Sequence, residues 1–99
     1  EKAKNEAQAA IAAVKGAVEQ ATTLVADIEK CRRPKPKDFK KDWELKKGQV
    51  DGFAAPVADL DANFGREDFL GVKAQAETLK AQVDAWVTEV AAVKTKLKC

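Results

Sequence analysis

Between residues 69 and 97 the chain sets Phe69, Val72, Ala76, Leu79, Val83, Trp86, Val90, Val93 and Leu97 at alternating steps of three and four. Seven residues make close to two turns of an α-helix, so this spacing gathers every one of these side chains onto a single stripe. A strand would scatter them over two faces. The segment contains no proline, and its one glycine, Gly71, falls near its start. A long helix with one apolar stripe is stable only when that stripe is covered by other helices. The feature therefore restricts the chain to a helical bundle.

Two further stretches supply the partners. Over residues 3–30, Ala7, Ile11, Val14, Val18, Ala21, Val25 and Ile28 step by four and three without interruption. Ala10, Ala13, Ala17 and Leu24 widen this stripe enough to face two neighbouring helices. Gly16 lies mid-helix at a cost of about 1 kcal/mol relative to alanine. Over residues 38–63 the pattern is weaker. Phe39, Trp43, Val50, Phe53, Val57, Leu60 and Phe64 share one register only if Lys46 fills a vacant stripe position, and Gly48, Gly52 and Pro56 interrupt it. Proline lacks the N–H and clashes with the carbonyl four residues earlier, that of Gly52. The spacing predicts a helix kinked or broken between Gly52 and Pro56. The competing reading is two shorter helices with Pro56 in the first turn of the second.

Two short linkers separate the three segments. RRPKP leaves the α region at the residue before each proline, and NFGRE carries Gly65 as the expected C-cap. Short connections make neighbouring helices antiparallel. The expected fold is all-α: one domain over 1–99, an up-down-up three-helix bundle with helices over about 3–30, 38–63 and 67–98. A composition rich in Ala, Lys, Glu, Leu and Val, with 5 Gly and 3 Pro, agrees with long helices.

The topology brings the two cysteines to one place. Cys31 ends the first helix and Cys99 ends the third. Both helices are roughly 40–50 Å long at 1.5 Å per residue, so their ends reach similar heights at the same pole. The expected Cys31–Cys99 disulfide would close a loop of roughly 70 residues and stabilise the fold by about 4 kcal/mol on the chain-entropy account. A structural disulfide implies an oxidising, extracytoplasmic compartment, the periplasm or the cell surface. The alternatives are two separate thiols or an intermolecular link. Two thiols and no histidine cannot furnish the four ligands of a structural zinc site, and the chain shows no other metal or cofactor signature.

Net charge is only +2, but its distribution is uneven. Lys30, Arg32, Arg33, Lys35, Lys37, Lys40, Lys41, Lys46 and Lys47, with Lys94, Lys96 and Lys98, place twelve of the 18 basic residues at the cysteine end. Cations at helix C-termini complement the helix dipoles, which accounts for Lys30, Lys94, Lys96 and Lys98. It does not account for Lys40, Lys41, Lys46 and Lys47, which lie in the first half of the middle helix. The functional reading is an anion-binding pole formed by Arg32, Arg33, Lys35, Lys37, Lys40, Lys41, Lys96 and Lys98. Phospholipid headgroups, lipopolysaccharide, an anionic wall polymer or an acidic protein would suit it. Nucleic acid is disfavoured: no recognition motif is present, and the nearby aromatics Phe39 and Trp43 fall on the apolar stripe.

Catalysis finds no foothold in the pattern. The chain has neither His nor Tyr; Thr22, Thr23, Thr78, Thr88 and Thr95 lie within helices with no base partner implied, and acidic pairs such as Asp59 and Asp61 read as a solvated face. No phosphate loop or nucleophile elbow occurs. The stretch GREDFLGVKAQAETLKAQVDAW, through Gly65, Asp68, Phe69, Ala74, Ala76 and Ala81, is similar to the alanine-rich helical domains of small bacterial periplasmic lipoproteins. That resemblance implies a cell-envelope setting and no defined activity; a lipid tether ahead of Glu1 would suit such a setting. No run of residues is long and apolar enough for a membrane span. The expectation is a non-enzymatic, extracytoplasmic interaction module of the cell envelope, with a protein or an anionic envelope component as partner. The alternatives are a spacer subunit that homo-oligomerises through a helix face, or a helical inhibitor or chaperone of another exported protein.

Overall fold

The computed structural model describes residues 2–31 and 39–98. They form four helices and no strand: α1 (Lys2–Glu29), α2 (Phe39–Gly52), α3 (Ala54–Gly65) and α4 (Phe69–Leu97). The helices make three arms, because α2 and α3 follow one another along a single broken arm. The result is an all-α three-helix bundle measuring 52 × 19 × 17 Å.

Cross-helix pairs fix the direction of each arm. Lys73–Glu6 and Lys94–Asp27 both join residues 67 apart, so α1 and α4 run parallel in constant register. Asn63 meets Gln75 near one end, and Lys46 meets Glu89 toward the other. Numbers rise along the middle arm as they fall along α4, so the two are antiparallel. Lys15–Asp61 and Lys47–Glu29 show the same relation to α1. The up-down-up arrangement is thus written in the charged pairs as well as in the apolar stripe.

The core lies chiefly between α1 and α4. Ala7, Ile11, Val14, Ala17, Ala21 and Ile28 are buried on α1, and Val72, Ala76, Leu79, Val83, Trp86 and Val90 on α4. Nearly all of these lie on the two regular stripes. Val18, Val25, Val93 and Leu97, which share the stripes, are only half-buried. The middle arm buries Trp43 and Leu60 alone, while Phe39, Val50, Phe53, Val57 and Phe64 remain half-buried against the cluster. Alanines narrow the separation of α1 and α4, and Trp86 fills volume that the small side chains leave.

The middle arm breaks at Phe53 and forms two helices, with Pro56 in the first turn of α3. Phe53 N–H donates to the Val50 carbonyl three residues back at 3.0 Å, and Val57 N–H to the Phe53 carbonyl at 3.2 Å. Pro56 has no N–H for the Gly52 carbonyl, so the α ladder lapses at this point.

The α3–α4 turn corrects the expected cap. Gly65 is the last residue of α3 and does not have a positive φ; Glu67 takes the left-handed conformation, with φ 64°. Glu67 N–H bonds the Phe64 carbonyl at 3.0 Å and Asp68 N–H bonds the Asn63 carbonyl at 3.2 Å. These are the two bonds of a Schellman motif with Glu67 at C′, the position that glycine usually fills. α4 consequently starts at Phe69, two residues later than the expected 67. Phe64 and Phe69 close the turn edge to face, with ring centroids 5.1 Å apart.

Candidate interaction site at the basic pole

Parallel α1 and α4 and an antiparallel middle arm bring three features to one end of the bundle: the C-termini of α1 and α4, and the start of α2. Of the expected anion-binding residues, Lys40, Lys41, Lys96 and Lys98 lie here and are exposed. Arg32, Arg33, Lys35 and Lys37 lie outside the described residues, as does Cys99. Cys31 lies two residues past the end of α1, and no cysteine among the described residues is a free thiol.

The structure divides the basic residues of this end into two groups. Lys46 pairs with Glu89 of α4, Lys47 with Glu29 of α1, and Lys94 with Asp27 of α1. The Glu29 carboxylate, hydrogen-bonded to Lys47 and opposite in charge, raises that ammonium above its usual pKa of 10.5. These three lysines hold helices together, which supplies the reason that helix dipoles could not give for Lys46 and Lys47. Lys30, Lys40, Lys41, Lys96 and Lys98 form no ion pair among the described residues and point their charge to solvent.

Aromatic residues stiffen the start of α2. Phe39 and Trp43 stack with centroids 5.8 Å apart and an interplanar angle of 14°. Trp86 of α4 donates its indole N–H to the Lys46 carbonyl at 3.0 Å, tying α2 to the core at its midpoint. Beside these rings an apolar groove opens between α2 and α4, lined by Phe39, Trp43, Leu45, Val90 and Val93. Leu45 is 67% exposed on its lip. Sequence reasoning missed both the groove and the ion pairs. The pairs carried a signal: Glu6 to Lys73 and Asp27 to Lys94 have one common separation, which two parallel helices in register require.

The threonine hydroxyls are committed to their own helices. Thr22, Thr23, Thr78, Thr88 and Thr95 each donate to the carbonyl four residues earlier. Such bonds satisfy the hydroxyl locally and leave no nucleophile–base pair. Among the described residues no group of three His, Cys, Asp or Glu side chains could hold a metal ion, and no helix is long and apolar enough to cross a membrane. Comparison with protein-family models, curated proteins and solved structures gives no match.

Proposed function

We propose that this chain is a non-enzymatic helical interaction module of the cell envelope that contacts an anionic partner through its basic pole. One observation carries the reading. After the interhelix ion pairs have taken Lys46, Lys47 and Lys94, an exposed set with no ion pair among the described residues (Lys30, Lys40, Lys41, Lys96 and Lys98) still stands at one end. Cations not used in holding helices together lower the cost of approach for an anionic surface and steer it over several ångströms. Arg32, Arg33, Lys35 and Lys37 would extend the same pole.

The compartment rests on a Cys31–Cys99 disulfide, which we infer from the fold. Cys31 lies two residues past α1, and Lys98 caps the parallel α4 at the same end. The absence of a free thiol among the described residues supports the bridge. An oxidising compartment would follow, in agreement with the similarity to periplasmic lipoprotein helical domains and a lipid tether ahead of Glu1. Intact-protein mass and thiol alkylation without denaturant test it. A mass two hydrogens below the reduced value, with no labelling, is expected; two readily alkylated thiols would remove both the bridge and the compartment.

Binding to vesicles of phosphatidylglycerol, with phosphatidylcholine as control, tests the pole. Affinity should fall steeply between low and physiological salt. The Lys40→Glu, Lys41→Glu, Lys96→Glu, Lys98→Glu variant should lose it. Salt-independent binding, or binding that survives the reversal, would sink the reading. A spacer subunit is the second reading. The exposed small residues Ala9, Ala12, Ala13 and Gly16 on one flank of α1 favour it, because they would let a second helix approach closely. It predicts concentration-dependent dimers that salt leaves intact.

A further inference from the structure

The geometry points to α2 as a detachable cover, a helix that swings off the ends of α1 and α4 about the Gly52–Phe53 joint while the rest of the bundle stays folded. This goes beyond the basic-pole reading and does not depend on it. Three properties of α2 set it apart. Its only buried residue is Trp43, whereas α1 and α4 each bury six. Beyond that ring and the half-buried Phe39 and Val50, its hold on the neighbours is polar: the exposed pairs Lys46–Glu89 and Lys47–Glu29 and the part-buried indole bond from Trp86. Its two glycines, Gly48 and Gly52, would meet nothing within 4 Å if each carried a Cβ, so close packing does not require them. What they do supply is backbone freedom, which weakens a helix.

The joint has the right construction for a hinge. At Phe53 the helical ladder shortens to a three-residue step, and the Gly52 carbonyl faces a proline nitrogen that cannot donate. Bending here breaks little that is not already broken. Beyond the joint, α3 is anchored differently: Leu60 is sunk in the core at 2% exposed, and Phe64 packs edge to face on Phe69 of α4. An open groove lined by Gln49, Phe53, Pro56, Gln82 and Trp86 already separates α2 from α4 along the joint. At its other end, α2 is joined to Cys31 by residues 32–38. A chain of that length reaches roughly 25 Å when extended, while clearing the seat takes about one helix diameter, roughly 10 Å. The movement would uncover a groove along α4 floored by Trp86 and Val90.

Native-state hydrogen exchange on the full chain tests the proposal. Amides in the second half of α2 should exchange at least about tenfold faster than the core amides of α1 and α4, with a shallower dependence on guanidinium, as expected of a sub-global opening. Val72→Ala, at the far end of α4, gives the decisive comparison. It should accelerate the α1 and α4 core amides by about tenfold or more and leave the α2 amides unchanged, because their opening does not pass through the core. If α2 shares the rates and denaturant slope of α1 and α4, or accelerates with them in Val72→Ala, α2 is an integral part of the cooperative unit and the proposal is wrong.

Discussion

α1 and α4 bury twelve side chains between them, and the middle arm buries two. All three arms nevertheless show apolar residues on one register in the sequence. The difference lies in what surrounds the stripe. α1 and α4 run unbroken for 28 and 29 residues and interlock through alanines and valines. The middle arm is cut at Phe53, loses a stripe position to Lys46, and exposes the other faces of α2 through Lys40, Lys41, Asp42 and Glu44. A periodic stripe reports which face turns inward. The depth to which that face sinks depends on helix continuity and on how closely the partner backbones approach.

The largest effect should come from Trp86. Trp86→Ala removes a 4% exposed ring and the donor to the Lys46 carbonyl, and should cost about 3–5 kcal/mol by thermal or denaturant unfolding. Leu60→Ala, in the one deeply buried position of α3, should cost about 2–4 kcal/mol. Phe53→Ala at the half-buried joint should cost less than either. If Phe53→Ala equals Trp86→Ala, the distinction between a packed pair and a lightly seated arm fails.

Two substitutions should stabilise. Glu67→Gly relieves a left-handed non-glycine residue and should gain about 0.5–1 kcal/mol; an unchanged melting temperature would show that the Schellman turn is not strained. Gly48→Ala meets no neighbour within 4 Å and should stiffen α2 by about 0.5–1 kcal/mol, seen as slower amide exchange throughout that helix. Loss of stability instead would mean that α2 needs its glycines for packing.

The smallest expected effect is a titration. The Lys47 pKa is raised in the folded chain by its hydrogen bond to Glu29 and by the charge of that carboxylate. A raised value means the pair contributes fully below the unfolded lysine pKa, and its contribution vanishes as pH rises through the folded value. In an NMR titration of the lysine side chains, Glu29→Gln should move the Lys47 midpoint down. A midpoint that stays put would remove this tie between α2 and α1.

Much of the fold was legible because it is local. The α1 and α4 stripes and the break near Pro56 follow from spacing along one helix, and the gathering of Lys30, Lys40, Lys41, Lys96 and Lys98 at one end follows once short linkers set the helix directions. The α3–α4 cap was misplaced because Gly65 is the usual signal for a left-handed residue. Here the left-handed position falls two residues further on, at Glu67, where the Asn63 and Phe64 carbonyls accept from Asp68 and Glu67. The composition of the basic pole was only half legible. A lysine reads the same in sequence whether its ammonium faces solvent or a carboxylate on another helix.

The sequence by itself determined the helical class, the identity of the two faces that pair and the end of the molecule where the cations collect. Helical periodicity is a property of the chain alone, and short linkers leave little choice of topology. The tertiary structure decided how firmly each arm is held and which charges remain free. Both depend on distances across helices, where Glu29, Asp27 and Glu89 find their lysines while Lys40, Lys41, Lys96 and Lys98 find none among the described residues.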